Sequence, residues 1–312
     1  MNIIINNKID RQLKKAVTII PQTHLILQEF LALVANIKPV ILHALSLEEI
    51  HLIKKYFPEI KIAFIDKNTS NNMFQKEFLS CALSKNALLS QKALNTYWGT
   101  DNTVVQSMGN LLGYPKCCVD NYVKYFELHR QWDSVFITYK TYERSQKFNF
   151  LVNNLLNFNT RVNNENFDNM LNYQSMNKNF PLWYYQFIFH IPCRYDCAAS
   201  IKIGKEIDIL LKMYSPEIEK IVRHTLAKPI LFFDLFKLVI FDGYFKEGIL
   251  YYQKVLPPFF LLDKTLMAKI QNGNKIIASE NQIEIFKNNS KLFVYKKKNK
   301  TDGFIINFEE YN

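Results

Sequence analysis

The residues best suited to chemistry in this chain are four cysteines set in two short motifs. The first motif is Gly113-Tyr114-Pro115-Lys116-Cys117-Cys118-Val119-Asp120. The second is His190-Ile191-Pro192-Cys193-Arg194-Tyr195-Asp196-Cys197. In each, a proline shortly precedes a cysteine, and the pattern predicts a turn that enters a helix. The first helix is expected to run from Cys118 to His129, the second from Cys197 to Met213. The first turn of a helix presents amide N–H groups without intrahelical acceptors and the positive end of the helix dipole. Both stabilise a thiolate, which is the form that binds soft metals and attacks electrophiles.

Four thiolates suit tetrahedral zinc or an iron–sulfur cluster. The spacing, Cys-Cys and then C-x3-C, departs from the paired C-x2-C of zinc ribbons. Two adjacent cysteines strain to share one small ion, whereas a cluster spreads its ligands over several irons. An iron–sulfur cluster therefore ranks ahead of zinc, with Cys117, Cys118, Cys193 and Cys197 as ligands. A metal-free redox dithiol and inert packing of the thiols are the alternatives. Cys193 and Cys197 are one helical turn apart in spacing, so their side chains can share a direction. Cys117 is expected just before its helix, as the exchangeable ligand or nucleophile.

Other groups stand close to the cysteines in sequence. His190, three residues before Cys193, is a candidate fifth ligand or proton relay, and with Cys117 it forms the candidate catalytic pair. Arg194 and Asp196 are candidate cofactor-binding residues, the first for an anionic substrate or cluster charge, the second for a hydrogen bond to a ligand. Each more often reads as a helix-end charge. Trp183, Tyr184 and Tyr185 can stack a ring or fill a core. Cys81, within Phe78-Leu79-Ser80-Cys81-Ala82-Leu83, reads as core. H-E-x-x-H, G-x-S-x-G and G-x-G-x-x-G are all absent, and Ser200 stands where a radical-type C-x3-C-x2-C would need its third cysteine.

The run Leu112 to Val119, followed by His190-Ile191-Pro192-Cys193-x3-Cys197-x2-Ser200, resembles the signature of a prokaryotic family designated domain of unknown function 483. The resemblance covers the two motifs and the region between them. It implies that the four cysteines act as a unit and implies no particular reaction.

The elements that must position these residues follow from local pattern. Val40 to Ala44 is a short apolar run of strand type. Ser46 and Glu49 form a capping box for a helix that Pro58 ends. Ile60 to Ile65 is a second strand. Strand, helix and strand in that order predict a small parallel sheet. Residues 71–107 are expected to be helical, and 153–179, dense in Asn, a surface excursion or an irregular helix. Ser215-Pro216-Glu217 opens a further helix. Beyond Lys228 come short β-branched and aromatic runs separated by turn residues, the texture of an antiparallel β module. The expected class is mixed α+β in three parts: 1–107 an α/β unit with a helical extension, 108–227 a mainly helical cysteine-bearing core, and 228–312 the β module.

Composition bounds the function. A chain of 312 residues with 48% hydrophobic residues has ample material for packed cores. The formal net charge of +11 admits a polyanionic partner, but most lysines are scattered. The one dense run, Lys296-Lys297-Lys298-Asn299-Lys300, is expected at a solvated hairpin tip, with a binding patch as the alternative. Nucleic acid is a possible but not favoured partner, and a small-molecule substrate is preferred. Met1 to Arg11 lacks the layout of a secretory signal. Leu25 to Leu42 is broken by Gln28, Glu29 and Lys38, so no membrane span is expected. Five cysteines without an export signal point to a reducing, cytoplasmic setting. The reading leans toward a metal- or iron–sulfur-dependent enzyme, of redox or group-transfer type. A structural-zinc protein with a basic binding module is the alternative.

Overall fold

The computed structural model describes residues 4–65, 79–97, 102–129, 134–156, 185–234, 237–256 and 263–310. Helices combine with two antiparallel sheets, which is the mixed α+β class expected. The chain divides into two compact units, each drawn from two stretches: Met1–Leu128 with Lys202–Glu219, and His129–Ile201 with Lys220–Asn312. The expected breaks after 107 and 227 follow changes of residue texture, and neither coincides with a break between the units.

In the first unit, α1 (Asn7–Ile19) starts on Asn6, whose side chain accepts from the amides of Lys8 and Ile9. It turns Leu13 and Ala16 inward. Helix α2 (Leu27–Val34) is buried along its whole length. Strand β1 (Val40–Leu45) leads to α3 (Leu47–Tyr56), which begins on the expected Ser46–Glu49 capping box and ends at Phe57, before Pro58. Then come β2 (Lys61–Ile65), β3 (Leu79–Ser84), α4 (Ala87–Tyr97), α5 (Asn102–Leu111) and α6 (Lys116–His129).

The strand–helix–strand is present, but its sheet is not parallel. The order is β1-β3-β2, and β3 pairs antiparallel with both neighbours. Strand β3 lies where helix was expected. Leu79-Ser80-Cys81-Ala82-Leu83-Ser84 contains no β-branched residue, so propensity gives no warning; tertiary pairing between two waiting strands decides it. Residues 71–78 of that segment lie outside the described residues. Cys81 is buried on β3, as expected of a core residue, and burial pushes its thiol up to about 12.

In the second unit, α7 (Ser134–Arg144) is followed by a loop whose Asn153 and Asn154 are fully buried. These two open the Asn-rich stretch expected at the surface, and that expectation fails here for a physical reason. Each side-chain amide donates to a backbone carbonyl, Asn153 to Leu226 and Asn154 to His190, both at 2.9 Å. Buried amides are tolerated when paired in this way. Residues 157–179 of the stretch lie outside the described residues. Helices α8 (Ala198–Tyr214) and α9 (Pro216–Leu226) run where Cys197–Met213 and Ser215-Pro216-Glu217 predicted them.

The C-terminal module is a seven-stranded antiparallel sheet. Its strands are β4 (Pro229–Asp234), β5 (Lys237–Lys246), β6 (Ile249–Leu256), β7 (Lys275–Ala278), β8 (Gln282–Lys287), β9 (Ser290–Lys296) and β10 (Phe304–Asn307). The order is β10-β4-β5-β6-β7-β8-β9, so the last strand returns to lie beside the first. A helix the sequence reading did not anticipate, α10 (Lys264–Asn272), starts on Asp263 and contributes Leu266 and Ile270 to the sheet's core. That core holds Leu231, Phe241, Leu250, Ile276 and Ile285, alternate residues of their strands. The opposite sheet face at β4 and β10 is also covered: Phe304 meets Tyr139 of α7 edge-to-face at 5.2 Å.

Candidate metal centre

The first cysteine pair is placed by a rigid approach. Leu112 packs with Val40, Ala82, Ala93 and Leu94, and Tyr114 packs against the same cluster. Between them Gly113 takes φ +75°, where an added Cβ would lie 2.6 Å from Cδ of Pro39. Glycine alone meets both demands. At Gly109 the close neighbour is Val119 of α6, 2.7 Å from where a Cβ would be. The α5–α6 turn is thereby fixed at both ends.

Helix α6 starts earlier than the sequence suggested. The amides of Cys118 and Val119 both donate to the carbonyl of Pro115, at 2.8 and 3.0 Å. Cys117 therefore lies inside the first turn rather than before it. A proline suits the edge of a helix, and Lys116 supplies the first helical residue. The two sulfurs are nevertheless close: Cys117 Sγ and Cys118 Sγ are 3.9 Å apart.

The second pair sits on a loop braced by hydrogen bonds. The carbonyl of Pro192 accepts from Thr141 Oγ1 at 3.2 Å. The amide of Tyr195 donates to Ser145 Oγ at 2.7 Å, and its carbonyl accepts from the Asn149 amide at 3.1 Å. The Tyr195 ring is fully buried and meets Phe308 edge-to-face at 5.0 Å. Cys197 precedes α8 and its carbonyl takes the first helical bond, from Ile201 at 2.9 Å. Cys193 is not in a helix. It belongs to the turn before Cys197, so the two converge through a loop and not through one turn of a helix.

The ligand atoms of Cys117, Cys118, Cys193 and Cys197 all lie within 4.8 Å of one another. Cys118 and Cys197 are buried, Cys193 is partly buried and Cys117 is exposed. The set can hold a metal ion, and its softness selects zinc, iron or copper over magnesium or calcium. All four sequence-predicted ligands come together.

The neighbours fall differently. His190 is buried, with Nε2 2.8 Å from Ser200 Oγ, and it is not part of the metal-capable group. Arg194 Nε lies 3.2 Å from Asp196 Oδ1, and Asp196 Oδ2 accepts from the Gln146 amide at 3.2 Å. Asp120 pairs with Lys116 at 2.6 Å on the exposed side of α6. Tyr185 is buried, and Trp183 and Tyr184 lie outside the described residues. The lysine run is largely engaged: Lys297 donates to the Ser279 carbonyl at 2.9 Å, and Lys300 pairs with Glu143 at 3.0 Å.

Sequence reasoning missed a buried charge cluster beside the first motif. Glu29 bridges Lys38, through Oε1, and His43 Nε2, 2.9 Å from Oε2. The Lys38 ammonium lies over the Tyr114 ring, 5.1 Å from its centroid. Burial pushes the Glu29 carboxyl up, but Lys38 and His43 more than offset it and hold it at about 2. Burial pulls Lys38 below its ordinary value, against the pull of Glu29. Burial, with Glu29 nearby, pushes the Tyr114 hydroxyl up. No residue spacing in the sequence announces this set.

Among the described residues no helix is long and apolar enough to cross a membrane. No family model, no curated protein and no solved structure matches the chain.

Proposed function

We propose that this protein binds a single metal ion of zinc type through Cys117, Cys118, Cys193 and Cys197, with Cys117 as the ligand that solvent and small reactants reach. The observation that carries this reading is the sulfur spacing. A tetrahedral ion with metal–sulfur bonds of about 2.3 Å sets its sulfurs about 3.8 Å apart. The Cys117–Cys118 distance of 3.9 Å and the outer limit of 4.8 Å for the set approach that edge. A cluster distributes its thiolates over more than one iron and spreads them further. The spacing thus favours a single ion over the iron–sulfur cluster.

The bound ion would tie together two segments far apart in sequence and act as a Lewis acid at its accessible edge. The gradient of exposure supports an enzymatic extension, in which Cys117 is the exchangeable ligand or nucleophile toward a small molecule. In that extension His190, hydrogen-bonded to Ser200, serves as the proton relay, and Arg194 and Asp196 shape the approach. Membership of the family of domain of unknown function 483 and residence in a reducing cytoplasm belong to the same proposal.

The test is metal analysis of protein purified without oxygen. The expected result is one zinc, or one lone iron, per chain with no acid-labile sulfide. Cys118→Ser, Cys193→Ser and Cys197→Ser are expected to abolish the metal, while Cys117→Ser retains part of it. Several irons with sulfide would replace the single-ion reading by a cluster. Equal, complete loss in all four variants would close the site and remove the exchangeable role of Cys117. Metal-free protein with unchanged variants would return the thiols to inert packing or dithiol chemistry.

A further inference from the structure

The seven-stranded sheet has two unlike halves on the face opposite its α10 core. Over β10, β4 and the start of β5 that face is covered, and Phe232, Ile240, Phe304 and Ile306 are buried there. Past the irregularity at Asp242/Gly243 the cover ends. Tyr244 is 60% exposed, and Lys291, four strands away, is exposed as well.

This half carries one continuous cross-strand row, exposed at its ends, Tyr244 and Lys291, and half-buried at Tyr251, Lys275 and Phe286. Tyr244 on β5 is in register with Tyr251 on β6, Tyr251 with Lys275 on β7, Lys275 with Phe286 on β8, and Phe286 with Lys291 on β9. The side chains touch along the row. The Tyr244 and Tyr251 rings stack at 5.2 Å with 21° between their planes. Lys275 and Lys291 lie over the Phe286 ring, 4.6 and 5.7 Å from its centroid. Core residues Leu250, Tyr252, Ile276 and Ile285 alternate with the row, so it points away from the core.

We propose that this row is a platform for single-stranded nucleic acid, with bases stacking on Tyr244 and Tyr251 and a phosphate meeting Lys275. Rings in ordered positions with a basic group beside them are what such recognition needs. Five strands spaced about 4.8 Å apart give a row of roughly 19 Å, room for a few nucleotides. Charge selects this occupant over a neutral sugar chain, which also stacks on aromatic rows. The chain carries a formal +11. Glu284 is paired with Lys291 at 2.5 Å, so Lys275 is the cation of the row that carries the phosphate contact. The dense lysines at 296–300, which start at the last residue of β9, are not part of the row. The proposal stands apart from the metal centre and survives the failure of that reading.

The experiment is fluorescence anisotropy of the full chain with a labelled 12-nucleotide oligouridylate at about 50 mM salt, where phosphate contacts are strong. Tyr244→Ala and Tyr251→Ala are each expected to weaken binding about tenfold, the loss of one stacked base. Lys275→Ala should lower the slope of log affinity against log salt by about 0.7, the value for one phosphate contact on a single strand. Lys298→Ala should leave affinity within twofold of the parent. Tyr244→Phe retains the ring and should restore binding, which separates stacking from fold damage. Several results would overturn the platform: no binding at low salt, tyrosine variants that bind like the parent, equal affinity for duplex RNA, or preference for a neutral glucan.

Discussion

The four thiols and the Glu29–Lys38–His43 cluster are both sets of polar groups drawn together inside a fold, and they solve burial in opposite ways. The acid, the ammonium and the imidazole complete one another: donors face acceptors and opposite charges face each other. The thiols are four ligand atoms of one kind. As thiolates they repel, and a cation is what their arrangement fits. One set is finished by the chain itself; the other is a set that a metal ion could finish. Only the second kind has a motif, because an ion dictates ligand type and number whereas a buried pair needs only to meet.

That contrast can be broken at several points. The largest effect should come from the ion. Structural zinc sites contribute apparent binding energies on the order of 10 kcal/mol in small domains. A strong chelator should therefore lower the denaturant midpoint of the parent and leave the midpoint of Cys118→Ser unmoved. A parent midpoint indifferent to chelator would show that the thiols need no ion to hold their place.

Next in size is Lys38→Met, which leaves the Glu29 carboxylate buried without its ammonium. Breaking a buried pair on one side costs about 3–5 kcal/mol. The double variant Glu29→Gln/Lys38→Met removes both charges and should recover most of that in urea unfolding. If the single and double variants unfold alike, the two groups do not depend on each other. Neither variant should change metal content.

Acid sharpens the same point. The Glu29 carboxyl is held at about 2, below its ordinary 4.5. A depressed carboxyl contributes stability that is complete above 4.5 and lost as pH falls through 2, a matter of a few kcal/mol. Between those limits the parent should lose stability more steeply than Glu29→Gln/Lys38→Met. Parallel pH curves would remove the cluster from the account of acid unfolding.

The smallest effect belongs to the exposed pair Lys116–Asp120, next to Cys117 in sequence. Lys116→Ala should cost under about 0.5 kcal/mol, as surface pairs at this helical spacing do, with metal content intact. A clear drop in bound metal would give Lys116 a part in the site.

How far the sequence could be read follows the same logic. Helix starts with explicit caps, Ser46 with Glu49 and Ser215 with Pro216, were legible to the residue. The strands after Lys228 were legible as an antiparallel module but not in their bounds: the apolar run from Pro229 to Phe241 holds β4 and the first half of β5. Strand β3 was not legible, because Leu79 to Ser84 has neutral local preference and takes its conformation from two neighbouring strands. Helix α10 was hidden in a β-rich stretch. The cysteines were legible as a set, but Cys117 was placed outside a helix it belongs to. Gln28, Glu29 and Lys38 were read as charges and polar groups that interrupt an apolar run; the structure buries all three. A sequence shows a charge but not the partner that makes its burial possible.

Strand β10 has a consequence in time as well as in space. It pairs with β4 across Phe304↔Phe232 to Asn307↔Pro229, and just beyond it Glu309 exchanges backbone bonds with Phe148 and Phe150. On the ribosome every one of those partners emerges long before β10 does. Until it arrives, β4 presents an unpaired edge of Ile230, Leu231 and Phe232, a template for the same edge on another nascent chain. Closing so long a loop is slow compared with forming the hairpins between β5 and β9. The last strand of this sheet to be made is therefore the one that ends the exposure of β4, and the yield of folded protein during synthesis rests on how quickly it finds its place.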